Sequence, residues 1–121
     1  MRQRRKLLFW EGSSKKDFKE FPVPVQKDMG VALFVVQLGR TPDAAKPWKG
    51  LGSGVYEVVE DHRGDTFRAV YTVRFEDAVH VLHAFQKKSK SGISTPQPDV
   101  ELIEKRLKAV IARYGAQGKF R

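Results

Sequence analysis

Between Lys46 and Gly92 the sequence sets out a carboxylate, a guanidinium, a phenol, an imidazole and a pair of ammonium groups: Glu57, Arg68, Tyr71, His83, Lys87 and Lys88. These types suit the handling of a phosphate-bearing polyanion. An arginine presents a fixed fork of donors that matches phosphate in two parallel bonds. Neighbouring lysines repel one another, and repulsion with partial burial lowers an amine's pKa towards the range of proton transfer. Lys87 and Lys88, beside Lys90, therefore read either as a proton-transfer group or as an electrostatic clamp. Glu57 lies within a strand-like run, where it serves as a proton acceptor or as the partner that holds Arg68; the ion pair is the preferred reading. Tyr71 either stacks on a base or fills the core, and its parity with Phe67, Val73 and Phe75 favours the core. His83 shares its parity with Val81 and Phe85, the pattern of a satisfied core histidine, and His62 falls in a polar turn.

Two other features invite chemistry and carry less. The alternating Gly50, Gly52 and Gly54 do not end in Lys-Ser/Thr and do not open a helix; they run into Val55-Tyr56-Glu57-Val58-Val59, so they mark a strand entry and not a phosphate loop. The loop Arg40 to Lys49 holds two prolines and three basic residues, and Lys46 and Lys49 in it are placed to touch phosphate or to stay solvated.

The whole chain points the same way. A net charge of +9 over 121 residues creates a field that draws polyanions, whether RNA, DNA or an acidic protein surface. The absence of cysteine removes disulfides and thiolate sites, and three scattered histidines make a metal centre a poor reading, so no cofactor is expected. With 40% hydrophobic and 31% charged residues, and no apolar run near the ~20 residues of a membrane span, a single soluble, cytoplasmic domain over residues 1–121 is expected. The run Leu7 to Trp10 is too short for a signal-peptide core.

The elements that must position these residues follow from periodicity. Lys6 to Trp10 reads as a first strand. Ser13 or Ser14 caps a short helix reaching about Phe21, and Pro22 and Pro24 break it. Val25, Met29, Ala32, Leu33 and Val36 recur at helical spacing to about Leu38, with Gly39 as the stop. Three strands follow: Val55–Val59, Thr66–Phe75 and Ala78–Phe85, joined by the turns Glu60–Asp65 and Glu76-Asp77 as an antiparallel meander. A basic loop, Gln86 to Gly92, leads to a last helix with Pro98 and Asp99 in its first turn and Val100, Ile103, Leu107, Val110, Ile111 and Tyr114 on its apolar face. Gly115 closes it, and Ala116 to Arg121 reads as a flexible tail.

The segments K-P-W-K-G-L-G-S-G-V-Y-E-V, T-F-R-A-V-Y-T-V and H-A-F-Q-K-K-S-K-S-G-I-S-T-P, followed by D-V-E-L-I, closely resemble HigB-type, phage-derived members of the RelE/ParE toxin superfamily. The resemblance covers nearly the whole chain and is strongest from Lys46 to Leu107. It implies an α+β fold of order β-α-α-β-β-β-α, with a twisted antiparallel sheet between a helical hairpin and a C-terminal helix. It implies a ribosome-dependent mRNA endonuclease, working by 2′-hydroxyl attack without a metal, and a helix-turn-helix antitoxin as partner beside the ribosome and mRNA. Arg68 matches the superfamily's strand arginine, and Lys87 and Lys88 its basic residues after the next strand. Arg68, Lys87, Lys88 and Glu57 are thus the catalytic candidates, with Lys46, Lys49, Tyr71, His83 and Lys90 as RNA-binding candidates. The same fold also allows a ParE-like, non-enzymatic inhibitor of DNA gyrase, or an inactive member that binds its antitoxin and corepresses its operon.

Overall fold

The computed structural model describes residues 4–87 and 95–116. The fold is α+β, and its centre is a five-stranded sheet in the order β1-β5-β4-β3-β2. In chain order the elements are β1 (Leu7–Trp10), α1 (Ser14–Phe18), α2 (Val23–Gln37), β2 (Ala45–Pro47), β3 (Val55–His62), β4 (Asp65–Thr72), β5 (Ala78–Lys87) and α3 (Gln97–Ala116). The strands β3, β4 and β5 form the expected antiparallel meander, and β1 lies parallel to β5 at the edge. The expected tail falls largely outside the described residues.

Three local features depart from the periodicity. The stretch read as a plain loop contains β2, whose Lys46 sits opposite Glu57 and Pro47 opposite Tyr56. A proline is compatible with this edge, where a strand's outer amide has no ladder partner to lose. The turn after β3 is tighter than Glu60–Asp65: the strands pair up to His62 and Asp65, leaving Arg63 and Gly64 as a two-residue connection. Both have positive φ, 51° and 86°, as a type I′ hairpin requires. Finally, the β4–β5 ladder shifts register between Val70 and Tyr71, where Val70 faces His83 and Tyr71 faces Val81. This bulge breaks the alternation, so Leu82 and Phe85 lie on the opposite face from Val79, Val81 and Ala84. Phe75 lies past the end of β4, and it joins Val70 and Leu82 instead of Phe67 and Tyr71.

Each face buries its own core. On one, Val25, Met29, Ala32, Leu33 and Val36 of α2 pack with Phe18 and Phe21 onto Val58, Phe67, Ala69, Tyr71, Val79 and Val81. On the other, Ile103, Leu107 and Val110 of α3 pack onto Val55, Val70, Leu82 and Phe85. At the strand entry, Gly50, Gly52 and Gly54 all have positive φ, and a Cβ on Gly54 would only touch the Arg74 backbone, at 3.4 Å, so it is the backbone angle that favours glycine there. The Arg74 guanidinium donates to the carbonyls of Leu51 and Ser53, fixing this glycine-rich entry.

Polar bonds fasten α3 along its length. His83 Nε2 meets Asp99 at 2.7 Å, Arg106 donates to the Leu82 carbonyl at 2.9 Å, and His80 joins Glu11 and Tyr114 at 2.8 Å each. The Glu11 carboxylate only accepts, so His80 Nδ1 donates to it. Arg113 donates to its second oxygen at 2.7 Å. Burial pushes the Glu11 carboxyl up, but the bonds from His80 and Arg113 outweigh this and hold it below its usual range. A depressed carboxylate contributes stability that is present above its unfolded value and lost as pH falls through its folded one. Denaturant titrations of wild type and Glu11→Gln are therefore expected to differ most above about pH 5 and to converge on acidification.

The outer face of α2 holds Gly30, around which a Cβ would find nothing within 4 Å among the described residues. An exposed helix-interior glycine costs about 1 kcal/mol relative to alanine. Gly30→Ala is expected to raise unfolding stability by about that amount, read from denaturant midpoints at unchanged slope.

Candidate functional site

The register brings four of the sequence candidates into one diagonal row on the α3 side of the sheet. Lys46 of β2 stands opposite Glu57 of β3. Glu57 pairs with Val70, and Arg68, two residues earlier on β4, is its diagonal neighbour. Arg68 in turn faces Phe85, and Lys87, two residues further along β5, is the next diagonal step. Diagonal cross-strand neighbours lie ~7–8 Å apart at Cα, within reach of long side chains. The row is placed by alternation alone, because each member has the same side-chain parity as its neighbour.

Glu57 and Arg68 form an ion pair through Oε1 and Nη1, both side chains largely buried. That is the pairing expected of the strand carboxylate. It occupies the carboxylate and one arm of the fork, while Arg68 Nε is buried with no hydrogen-bond partner among the described residues. A buried donor without a partner carries a desolvation cost that an incoming anion would relieve. Lys87 is buried at the exit of β5. Burial, then the Arg68 cation, lower its pKa; Glu57 opposes this and Lys46 adds to it. One ammonium group therefore sits among two other cations and a carboxylate, shifted towards the neutral amine. Such a row can clamp a phosphate and exchange a proton at the same place.

The remaining candidates divide. Lys49 is exposed in the turn after β2. Lys88 and Lys90 lie outside the described residues. Tyr71 is a correction: it is on the opposite face, 1% exposed and stacked on Tyr56 at 5.8 Å between ring centres. Burial raises its phenol further from ionisation. Its ring fills the core beneath α2 and offers no face to a base. His83 does lie on the site's side of the sheet, because the bulge turns it away from Val81. It is 5% exposed, stacked on Phe85 at 4.8 Å and bonded to Asp99, so its ring is held within the sheet's α3 face beside the row.

Sequence reasoning did not find the Glu11–His80–Tyr114 network or the Asp99 partner of His83. Glu11 and His80 are 69 residues apart, and His80 and Tyr114 are 34 apart; no local pattern links them.

Set against known proteins, the chain's fold has counterparts. It is similar to a double arginine-to-alanine mutant of the E. coli toxin RelE in the free state, with a TM-score of 0.59 and 17% identity over 88% of this chain and 99% of that one. It is also similar to the isolated E. coli RelE toxin, with a TM-score of 0.55 and 19% identity over 71% of this chain and 89% of that one. At these identities the likeness is one of fold. No curated protein matches the chain. The family model described as "Phage derived protein Gp49-like (DUF891)" matches residues 16–108, from α1 through β2, β3, β4 and β5 and into α3, with β1 outside the match. With the match spanning most of its length, the chain belongs to the Gp49-like family of phage-derived proteins.

Proposed function

We propose that this protein is the toxin of a toxin–antitoxin pair and an endoribonuclease that cuts mRNA on the translating ribosome in the cytoplasm. The observation that carries the reading is the diagonal row Lys46, Glu57, Arg68 and Lys87, assembled from four strands of a RelE-like sheet in a strongly basic chain. In the reaction, the ribose 2′-oxygen bonds to the adjacent phosphorus and the bond to the 5′-oxygen breaks. The products are a 2′,3′-cyclic phosphate and a 5′-hydroxyl. Arg68 holds the phosphate and spreads the charge that develops on it, which is the largest electrostatic contribution such a site can make. Glu57 fixes the guanidinium in its plane. Lys87, shifted towards the neutral amine, takes the 2′ proton, the departing 5′-oxygen takes a proton from solvent water, and Lys46 and Lys49 hold the flanking backbone. Lys88 and Lys90, which follow in the sequence, add to the positive charge of the chain. The positive charge comes from side chains, so no cofactor enters the scheme. The antitoxin, expected to carry a helix-turn-helix, is the proposed product of the adjacent gene.

Induced expression with and without that gene, followed by mapping of mRNA 5′ ends, tests this reading. Growth arrest with new 5′-hydroxyl ends inside translated frames, relieved by the adjacent gene, is the expected result. Growth arrest with intact mRNA would overturn it and favour the gyrase-directed alternative.

A further inference from the structure

The outer face of α2 carries a row that the two cores do not use. Val23, Lys27, Gly30 and Phe34 recur at helical spacing, with Val31 beside them. Val23 is 63% exposed, Val31 65% and Phe34 43%, although the same helix buries Val25, Met29, Leu33 and Val36 completely enough to satisfy the sheet. The row runs ~16 Å along the helix. At its middle stands Gly30, with open space where a side chain would be. Nothing among the described residues requires a glycine there, and it weakens the helix. A glycine flanked by apolar side chains on an open helix face lets a second backbone approach closely, as small residues do between packed helices.

The surroundings define what would approach. The Arg5 guanidinium lies over the Phe34 ring at 5.7 Å, and Lys27 sits within the row. A second copy of this chain would bring Arg5 and Lys27 towards further positive charge in a chain of net +9. An amphipathic helix with carboxylates along its flanks would instead meet complementary charge, with its apolar stripe on Val23, Val31 and Phe34.

We propose that this face of α2 is the docking surface for an acidic amphipathic helix of a partner protein, crossing at Gly30. It lies on the opposite side of the sheet from the Arg68 row, so partner binding and phosphate chemistry occupy separate surfaces. The proposal rests on the preceding functional reading only for its probe, the protein encoded by the adjacent gene.

The test measures that protein's affinity for the full chain by calorimetry. Gly30→Leu and Phe34→Glu are both placed on the surface, and thermal unfolding of each variant verifies the fold. Each is expected to weaken binding at least about tenfold. Lys46→Ala and Arg68→Lys, on the other side of the sheet, are expected to bind as wild type. Higher salt should weaken the wild-type complex by screening the Arg5 and Lys27 contacts. Loss of binding confined to the site-side variants, unchanged binding by the α2 variants, or no complex with wild type would each overturn the proposal. So would a wild-type dimer in sedimentation that Phe34→Glu dissolves, which would assign the face to a second copy. Absence of mRNA cleavage with α2-dependent binding intact would overturn the enzymatic reading and leave this surface standing.

Discussion

Arg68→Lys is expected to slow mRNA cleavage on translating ribosomes by about 10²–10³-fold while the protein stays folded. Lysine keeps a positive charge against Glu57, so the buried carboxylate is not stranded. What it loses is the planar fork, and with it the second bond to phosphate. Arg68→Ala is a different experiment. It leaves Glu57 buried without its cation, and removing one partner of a buried pair typically costs about 3–5 kcal/mol. A growth assay alone would therefore read Arg68→Ala as inactive whether the chemistry or the fold had failed. Cleavage rates with purified protein, alongside urea unfolding, separate the two. Equal cleavage by wild type and Arg68→Lys would remove Arg68 from the proposed mechanism.

Lys87→Met is expected to cost about 10²–10⁴-fold in the same assay, the usual worth of a positioned proton-transfer group. The pH dependence distinguishes its role. Burial and the Arg68 and Lys46 cations lower the Lys87 pKa, with Glu57 opposing. If the neutral amine takes the 2′ proton, single-turnover rates climb with pH through the folded pKa and level off above it, and Lys87→Met flattens that limb. If Lys87 serves only as a cation, the rate instead falls as pH rises through the same range. The linkage has a matching sign: the unfolded chain holds this proton more tightly, so Lys87's contribution to stability improves as pH rises from the folded towards the unfolded value.

Much of this site could be read from the chain because alternation is a reliable guide within an unbroken strand. Glu57 and Arg68 both lie before the bulge, and their pairing follows from a hairpin whose strands alternate cleanly. Past Val70 the parity argument fails, since one extra residue on β5 reassigns every side chain after it. His83 and Phe75 depart from strand parity for related reasons: one sits at the bulge and the other beyond the end of its strand. The edge strand β2 is not legible in the sequence, because three residues with a proline have no period of their own and become a strand only through the pairing that β3 offers. That pairing brings Lys46 opposite Glu57. The helices were legible through their apolar faces, whereas the polar bonds that fasten α3 join residues far apart in the chain.

The strand order has a consequence for the chain as it is made. The candidate site draws one side chain from each of four strands, and the outermost ladder joins Leu7 to Ala78 in parallel. Pairings of such long sequence separation form late and slowly. An emerging polypeptide holds the row of Lys46, Glu57, Arg68 and Lys87 only after β5 has cleared the machinery synthesising it. On the proposed function, the protein is thereby harmless to the ribosome producing it until nearly all of its own message has been translated.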